Sequence, residues 1–413
     1  MRILHWVRVG NKLGGFERYT ILLARECQRR GHELTVMHDV PNTVREYHES
    51  LEGAGARYME SGNSWEAPVR STRTVAVLLR EWRPSVVHAH FINPLMLPAL
   101  RVLGKSLVYA TFHSGIDRKI TPRIRLVCKL HEVFAHRLFA VSERVRRDSI
   151  LAGVNPVRIA TLYLGLDLEG IRAASDQCSD PIPEGFGDPR LRRVISVAQF
   201  QPVKGMVTVT EAAISVLRRM PDVVWWLVGA DGPDMPMAKA LVRNAGLADR
   251  VLFLGQRNDV PALMKRSCLQ VVGSRSEGLP LMIVEAAALG VPTVGPNIGG
   301  VDEAVLDGET GILVDRPTGE RLAEAAERLL CDDATRELMS NRAAAFAREA
   351  FDANVHIGKL LDTYEHDADT TPNTRPIWRT IGFTTVARHR AATQQPDVDR
   401  LRRRGLNRSS QER

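Results

Sequence analysis

Two carboxylates, Glu277 and Glu285, stand eight positions apart around Gly278, Leu279, Pro280 and Leu281, directly after the apolar run Leu269 to Val272. Proline suits the first turn of a helix, where its missing N–H costs nothing. The spacing therefore places Glu277 in a loop at a strand's carboxyl end and Glu285 on the helix that follows. Between them lie backbone N–H groups with no intrahelical acceptor, a ready site for a phosphate. Carboxylates flanking such a site can accept hydrogen bonds from sugar hydroxyls, so the set suits a phosphate-linked sugar. Taken alone, it fits equally a helix-start acid and an exposed Glu. Lys204 and Gly205 follow another apolar run, Arg193 to Ala198, where a lysine can pair with a diphosphate. Gly229 to Gly232 and Gly299 to Glu303 follow two further runs, each an ordinary turn by itself.

Other residues could ligate a metal. His88 and His90 share one face of a strand, but no third ligand accompanies them in the sequence, and the expectation is no metal site. The D-x-D sequences, 367–369 and 397–399, both fall near the C-terminus.

These residues need a scaffold of loops after strands. Apolar runs alternate with helical patterns through most of the chain, which predicts parallel-sheet α/β domains. The first half holds candidate strands at Arg2 to Val7, Glu33 to Met37, Ser85 to Ala89, Leu107 to Phe112, Leu138 to Ser142 and Arg158 to Leu162. The second half holds them at Arg193 to Ala198, Val223 to Val228, Val251 to Leu254, Leu269 to Val272, Val291 to Val294 and Gly311 to Val314. Between them, Ser175, Ser179, Pro181, Pro183, Gly185, Gly187 and Pro189 crowd one segment. The expected division is 1–168 as a first domain, 169–190 as linker and 191–345 as a second domain. A helix over 346–366 returns to the first domain, and 367–413 forms a basic, mostly disordered tail. Two such halves leave a cleft between the carboxyl ends of two sheets. The stretches Val40 to Tyr58 and Glu60 to Thr72 carry no readable pattern.

Composition narrows the function classes. With 44% hydrophobic and 25% charged residues, the chain is of globular type. The longest uncharged apolar stretch, Phe91 to Leu100, falls well short of the roughly 18 to 20 residues a bilayer span needs. The N-terminus shows no tripartite export signal, and five scattered cysteines form no C-x-x-C, so a cytoplasmic protein with reduced thiols is expected. The net charge of +8 is concentrated at the end: ten Arg against five acids from Asp367 onward give +5. Nucleic-acid binding is disfavoured for want of aromatic interleaving or a recognisable module. Residues 118–147 hold nine Lys or Arg against Glu132 and Glu143, with an apolar stripe at Ile124, Val127, Leu130, His131, Phe134 and Leu138. That segment reads either as a solvated basic face or as a contact for anionic lipid at the inner face of a membrane.

Taken together and in order, these segments resemble the retaining glycosyltransferases with the GT-B fold, most closely family 4 with its E-x7-E motif. The resemblance covers about residues 1–365. It includes Gly14-Gly15-Phe16-Glu17-Arg18, Arg30-Gly31-His32-Glu33, Val87-His88-Ala89-His90, Thr111-Phe112-His113, Ala140-Val141-Ser142 and Gly165-Leu166-Asp167. It implies two Rossmann-like domains facing across a cleft, 1–168 binding the acceptor and 191–345 the nucleotide sugar, and a metal-independent transfer of a hexose-type unit. The donor would be a nucleotide sugar, and the acceptor a glycan, a lipid-linked molecule or a small molecule, as in polysaccharide biosynthesis. No further cofactor is implied. Glu277 would contact the donor sugar, Glu285 the ribose and Lys204 the diphosphate. Gly14 and Gly15 would let the backbone approach the reacting groups, and His113 would sit beside the anomeric centre. The family usually shows an arginine five residues before the lysine, where this chain has Gln199. Arg257, in the loop after Val251 to Leu254, is a candidate substitute. Gln199 also motivates a rival reading, a non-catalytic GT-B subunit that binds or scaffolds. A nucleotide-sugar epimerase of similar architecture is disfavoured by the paired glutamates.

Overall fold

The alternation of apolar runs with amphipathic stretches resolves into two parallel sheets. The computed structural model describes residues 1–8, 15–116, 119–177, 182, 186, 188 and 190–370. The first sheet contains β1 (Arg2–Val7), β2 (Glu33–His38), β3 (Arg57–Glu60), β4 (Val86–His90), β5 (Leu107–Phe112), β6 (Arg137–Ala140) and β7 (Ile159–Thr161), in the order β3-β2-β1-β4-β5-β6-β7. The second contains β8 (Arg192–Val197), β9 (Val223–Val228), β10 (Val251–Gly255), β11 (Leu269–Val271), β12 (Thr293–Pro296) and β13 (Gly311–Val314), in the order β10-β9-β8-β11-β12-β13. This is the doubly wound α/β arrangement of two Rossmann-like domains.

The order fixes where a ligand can sit. In each sheet the chain reverses its direction of winding beside the first strand, between β1 and β4 and again between β8 and β11. Open α/β sheets bind ligands outside the strands' carboxyl ends at this switch point. The second sheet is buried on both faces, as β9 illustrates: Trp225 enters the core on one side and Trp226 the core on the other.

Several elements differ from the sequence reading. The stretch 40–72 contains a helix, Arg45–Gly53, the edge strand β3 and the start of the Pro68–Glu81 helix. The expected linker opens with the Leu168–Ser175 helix, which packs Leu168 and Ile171 against Ile283 and Val284 of the second domain. The single helix expected over 346–366 is two, Asp333–Phe351 and Ala353–Thr370, broken at Asp352. There the chain crosses back, with Leu166 N–H donating to Phe351 O at 2.9 Å and Ala353 N–H to Leu166 O at 3.1 Å. The last helix covers the first sheet, with Tyr364 fully buried in the cluster that holds Ile3, Tyr19 and Tyr109. It runs through Thr370, so residues 367–370 belong to the fold rather than to a solvated tail. The reason is Asp367, a buried carboxylate that accepts from Arg137 at 2.8 and 3.1 Å and from the Tyr109 hydroxyl at 3.0 Å. Residues 371–413 lie outside the described residues.

Candidate active site

The loops at the two switch points meet. The loop after β8 ends in a short 3-10 turn, Pro202–Lys204, and Gly205 then takes a left-handed conformation (φ 63°) to start the Met206–Arg219 helix. A Cβ at Gly205 would stand 2.0 Å from Gly273 O, so this loop and the loop after β11 touch through backbone. Arg275 N–H closes the contact by donating to Val203 O at 2.8 Å.

Against that frame, Lys204 Nζ donates to both carboxylate oxygens of Glu277, at 2.7 and 2.9 Å, while Ser274 Oγ donates to Oε1 at 2.7 Å. Pro280 precedes the Leu281–Ala288 helix as its N-cap residue. Glu285 follows on that helix, half-buried. Burial pushes its carboxyl up to about 7, partly countered by Arg18 of the first domain. A cation, a helix N-terminus and two carboxylates thus line the carboxyl end of the second sheet.

The first domain closes the other side. A Cβ at Gly278 would lie 2.3 Å from His113 O, and one at Gly15 would lie 3.1 Å from Leu281 Cδ1. The Gly15–Arg29 and Leu281–Ala288 helices therefore begin opposite each other across the cleft. Leu279 packs into apolar clusters of both domains. His113 is half-buried. His90 Nδ1 lies 3.0 Å from its Nε2, Phe91 stacks on it at 3.8 Å between ring centroids, and Phe16 meets it edge-on at 5.6 Å. Burial pushes the His113 imidazole down to about 3, so it is neutral at physiological pH. A small pocket between Phe91, Ile92, His113, Ser114 and His131 adjoins it.

A further contact ties the domains together. Glu303, after Gly300, accepts from the backbone N–H groups of Glu143 and Arg144 at 2.7 and 2.8 Å and from the Tyr163 hydroxyl at 2.9 Å. It thus caps the Glu143–Leu151 helix from the opposite domain, beside Ser142, whose Oγ accepts from Val145 N–H at 3.2 Å.

Two profiles match the chain: Glycosyltransferase Family 4 over residues 13–169 and Glycosyl transferases group 1 over residues 186–346. A D-inositol 3-phosphate glycosyltransferase of Corynebacterium diphtheriae is 31% identical over 366 residues, covering 81% of this chain and 86% of that protein. The chain belongs to the family 4, group 1 glycosyltransferases. An N-acetyl-alpha-D-glucosaminyl L-malate synthase of Bacillus anthracis is 33% identical, but its match spans 42% of this chain and 44% of that protein. Anabaena HepE, solved in complex with UDP, superposes with a TM-score of 0.74 at 21% identity over 89% of this chain and all of that one, which shows the shared GT-B fold.

In this glycosyltransferase the expected site residues divide into groups. Lys204, Glu277, Gly278, Leu279, Pro280, Leu281, Glu285, Gly15 and His113 converge on the cleft, whereas Gly14 lies outside the described residues. Gln199 is exposed at the end of β8. Arg257 grips Asp259 through two hydrogen bonds of 2.8 and 2.6 Å, with 7% and 3% of the two side chains exposed. Its charge is already matched by an acid two residues away.

Sequence reasoning missed the partner of His88 and His90. His5 of β1 pairs in register with His88, which places three buried imidazoles on one face of the sheet. Both nitrogens of His88 are hydrogen-bonded, to the Tyr364 hydroxyl and to Thr111 Oγ1, while His5 Nδ1 and His90 Nε2 have no partner among the described residues. Phe91 was missed too, since nothing in the sequence marks its left-handed backbone (φ 59°).

Proposed function

We propose that this chain moves a sugar from a nucleoside-diphosphate sugar to an acceptor hydroxyl with retention of configuration and without a metal ion. The observation that carries the reading is the Lys204–Glu277 pair at the mouth of the Leu281–Ala288 helix, facing His113. As the bond from the anomeric carbon to the diphosphate breaks, negative charge grows on the phosphate. Lys204 and the free N–H groups at the helix start are oriented in advance to stabilise it. Glu277, released from Lys204 by the incoming diphosphate, accepts from sugar hydroxyls, and Glu285 accepts from the ribose. The acceptor oxygen bonds the anomeric carbon on the face the phosphate leaves. Its proton passes to the departing phosphate oxygen.

Acceptor classes in keeping with this reading are a glycan, a lipid-linked molecule or a small molecule. A lipid-linked acceptor gains support from the Pro122–Phe134 helix, where Arg123, Arg125 and Lys129 are exposed beside Leu126 (60% exposed) and Val133 (45%). That face suits peripheral contact with anionic headgroups. No described helix is long and apolar enough to cross a membrane. The rival reading, a non-catalytic binding subunit, is favoured by Gln199 alone.

The test is transfer from a panel of nucleotide sugars in the presence of EDTA, with the anomeric configuration of the product read by NMR. Retained configuration with activity surviving chelation supports the proposal. Inversion, or activity lost in EDTA and restored by Mg2+ or Mn2+, overturns it.

A further inference from the structure

His113 is held more tightly than a side chain that only lines a cleft needs to be. We infer that His90 and Phe91 form a clamp that fixes His113 in one orientation and one tautomer, presenting Nδ1–H to the sugar site as a neutral hydrogen-bond donor. The inference rests on the reading that places His113 beside the reacting carbon.

Three observations carry it. First, His90 Nδ1 and His113 Nε2 are 3.0 Å apart. Both rings are kept neutral by burial, so a single proton occupies that bond and the tautomers of the two rings are coupled. Second, the far nitrogen of His90, Nε2, is buried with no partner among the described residues. An orphaned N–H is rarer in folded proteins than an under-satisfied acceptor, which puts the His90 proton on Nδ1. His90 then donates and His113 Nε2 accepts, so the His113 proton sits on Nδ1. Third, Phe91 adopts φ 59°, a region that a bulky residue occupies only when its surroundings require it. The conformation lays its ring on His113 with an interplanar angle of 26°, and Trp65 Nε1–H secures its carbonyl at 3.3 Å.

His90 and Phe91 are thus positioning residues: they act through His113. Further back, His5 stacks on His90 at 5.1 Å between centroids, and the sheet register pins His5 beside His88. The ring that meets the substrate is anchored to the centre of the first sheet.

Long-range 15N–1H correlation spectra of histidine-labelled protein near neutral pH read the tautomer directly, with His113→Gln supplying the assignment. We expect His113 as the Nδ1–H form. His90→Phe should let the two forms average and lower kcat by about tenfold or more with little change in donor KM. His90→Asn, whose amide donates from the place of Nδ1, should restore both the tautomer and most of kcat. Phe91→Asn accepts the left-handed backbone but removes the stack, so its Tm should hold or rise while kcat falls. A wild-type spectrum showing Nε2–H on His113 overturns the inference, as does a folded His90→Phe with unchanged tautomer and turnover. Should His90→Phe fail to fold, the wild-type spectrum and the Phe91→Asn pair of readouts still decide. Absence of any transfer by wild-type protein would refute the proposed function and leave the tautomer result standing.

Discussion

Lys204 and Glu277 neutralise each other: the ammonium lies within 2.9 Å of both carboxylate oxygens, with 34% of the lysine and 12% of the glutamate side chain exposed. The groups proposed to hold the two ends of the donor, diphosphate and sugar, are thus each other's ligand. Donor binding exchanges this pair for two new ones, Lys204 with phosphate and Glu277 with sugar hydroxyls.

The exchange predicts opposite effects on two ligands. Glu277→Gln frees Lys204, so the affinity for a bare nucleoside diphosphate should hold or rise, while transfer falls because a charged acceptor for the sugar is gone. Lys204→Ala should weaken both by roughly tenfold to over a hundredfold, the loss of a charge-assisted contact of about 1.5 to 3 kcal/mol. Calorimetric titration with diphosphate and with intact donor distinguishes the cases. Equal losses for both ligands in Glu277→Gln would contradict the exchange. Because the pair is partly exposed, either variant should cost no more than about 1 kcal/mol of folding stability.

Glu285 predicts a pH dependence. Its folded pKa, about 7, lies above the ordinary 4.5 because burial disfavours the charged form. Between these values the folded state binds more protons than the unfolded one, so this group's contribution to stability declines as pH rises from 4.5 through 7. Ribose binding makes the opposite demand, since the ionised carboxylate is the stronger acceptor. Donor affinity should therefore increase as pH rises through 7 in wild type and stay flat in Glu285→Gln, whose melting temperature should fall less over the same range. Parallel pH series of affinity and Tm check both signs.

Much of this site was legible because it depends on local order: a strand, a loop and a helix start placed Lys204 and Glu277 without knowledge of the fold. What escaped needed tertiary placement. Only the β1–β4 register brings His5 beside His88, and only a backbone angle reveals what Phe91 does. The edge strand β3 (Arg-Tyr-Met-Glu) shows no alternation, since none of its side chains is fully buried. Arg257 reads from the sequence only as a cation after a strand, and its ion pair with the buried Asp259 two residues on is what the structure adds. Asp367 reads as part of a charged tail until Arg137 and Tyr109 surround it.

Glu303 was visible only as the end of a Gly-Gly turn, and its cross-domain role yields a conformational prediction. Glu303→Ala removes the acceptor for two N–H groups at the start of the Glu143–Leu151 helix. Loss of a cap of this kind costs about 1 to 2 kcal/mol. Because the cap comes from the other domain, the cost should fall on domain closure. Small-angle scattering should show a larger radius of gyration for the variant without ligand, with the two domains still folded by circular dichroism. An unchanged radius would mean that other contacts between the domains, among them Gly278 on His113, Gly15 on Leu281 and Leu279 between the cores, hold the closed form.

Gln199 separates the enzyme from its non-catalytic rival. A diphosphate facing one cation instead of two forgoes roughly 1.5 to 3 kcal/mol, a factor of about ten to over a hundred in affinity. Arg257 cannot repair this cheaply, since moving it would break a buried ion pair with Asp259, at a cost of about 3 to 5 kcal/mol. Arg257→Ala should accordingly appear as a drop in melting temperature, with little effect on donor affinity once the protein is folded. At position 199 the glutamine is exposed and its amide can donate, so Gln199→Arg should keep or tighten nucleotide binding, and Gln199→Ala should cost far less than Lys204→Ala. Donor affinity and turnover across these variants decide the matter. If wild type binds no nucleotide and binding appears only in Gln199→Arg, the chain is a glycosyltransferase scaffold that has lost its donor, and the transfer mechanism proposed for it falls.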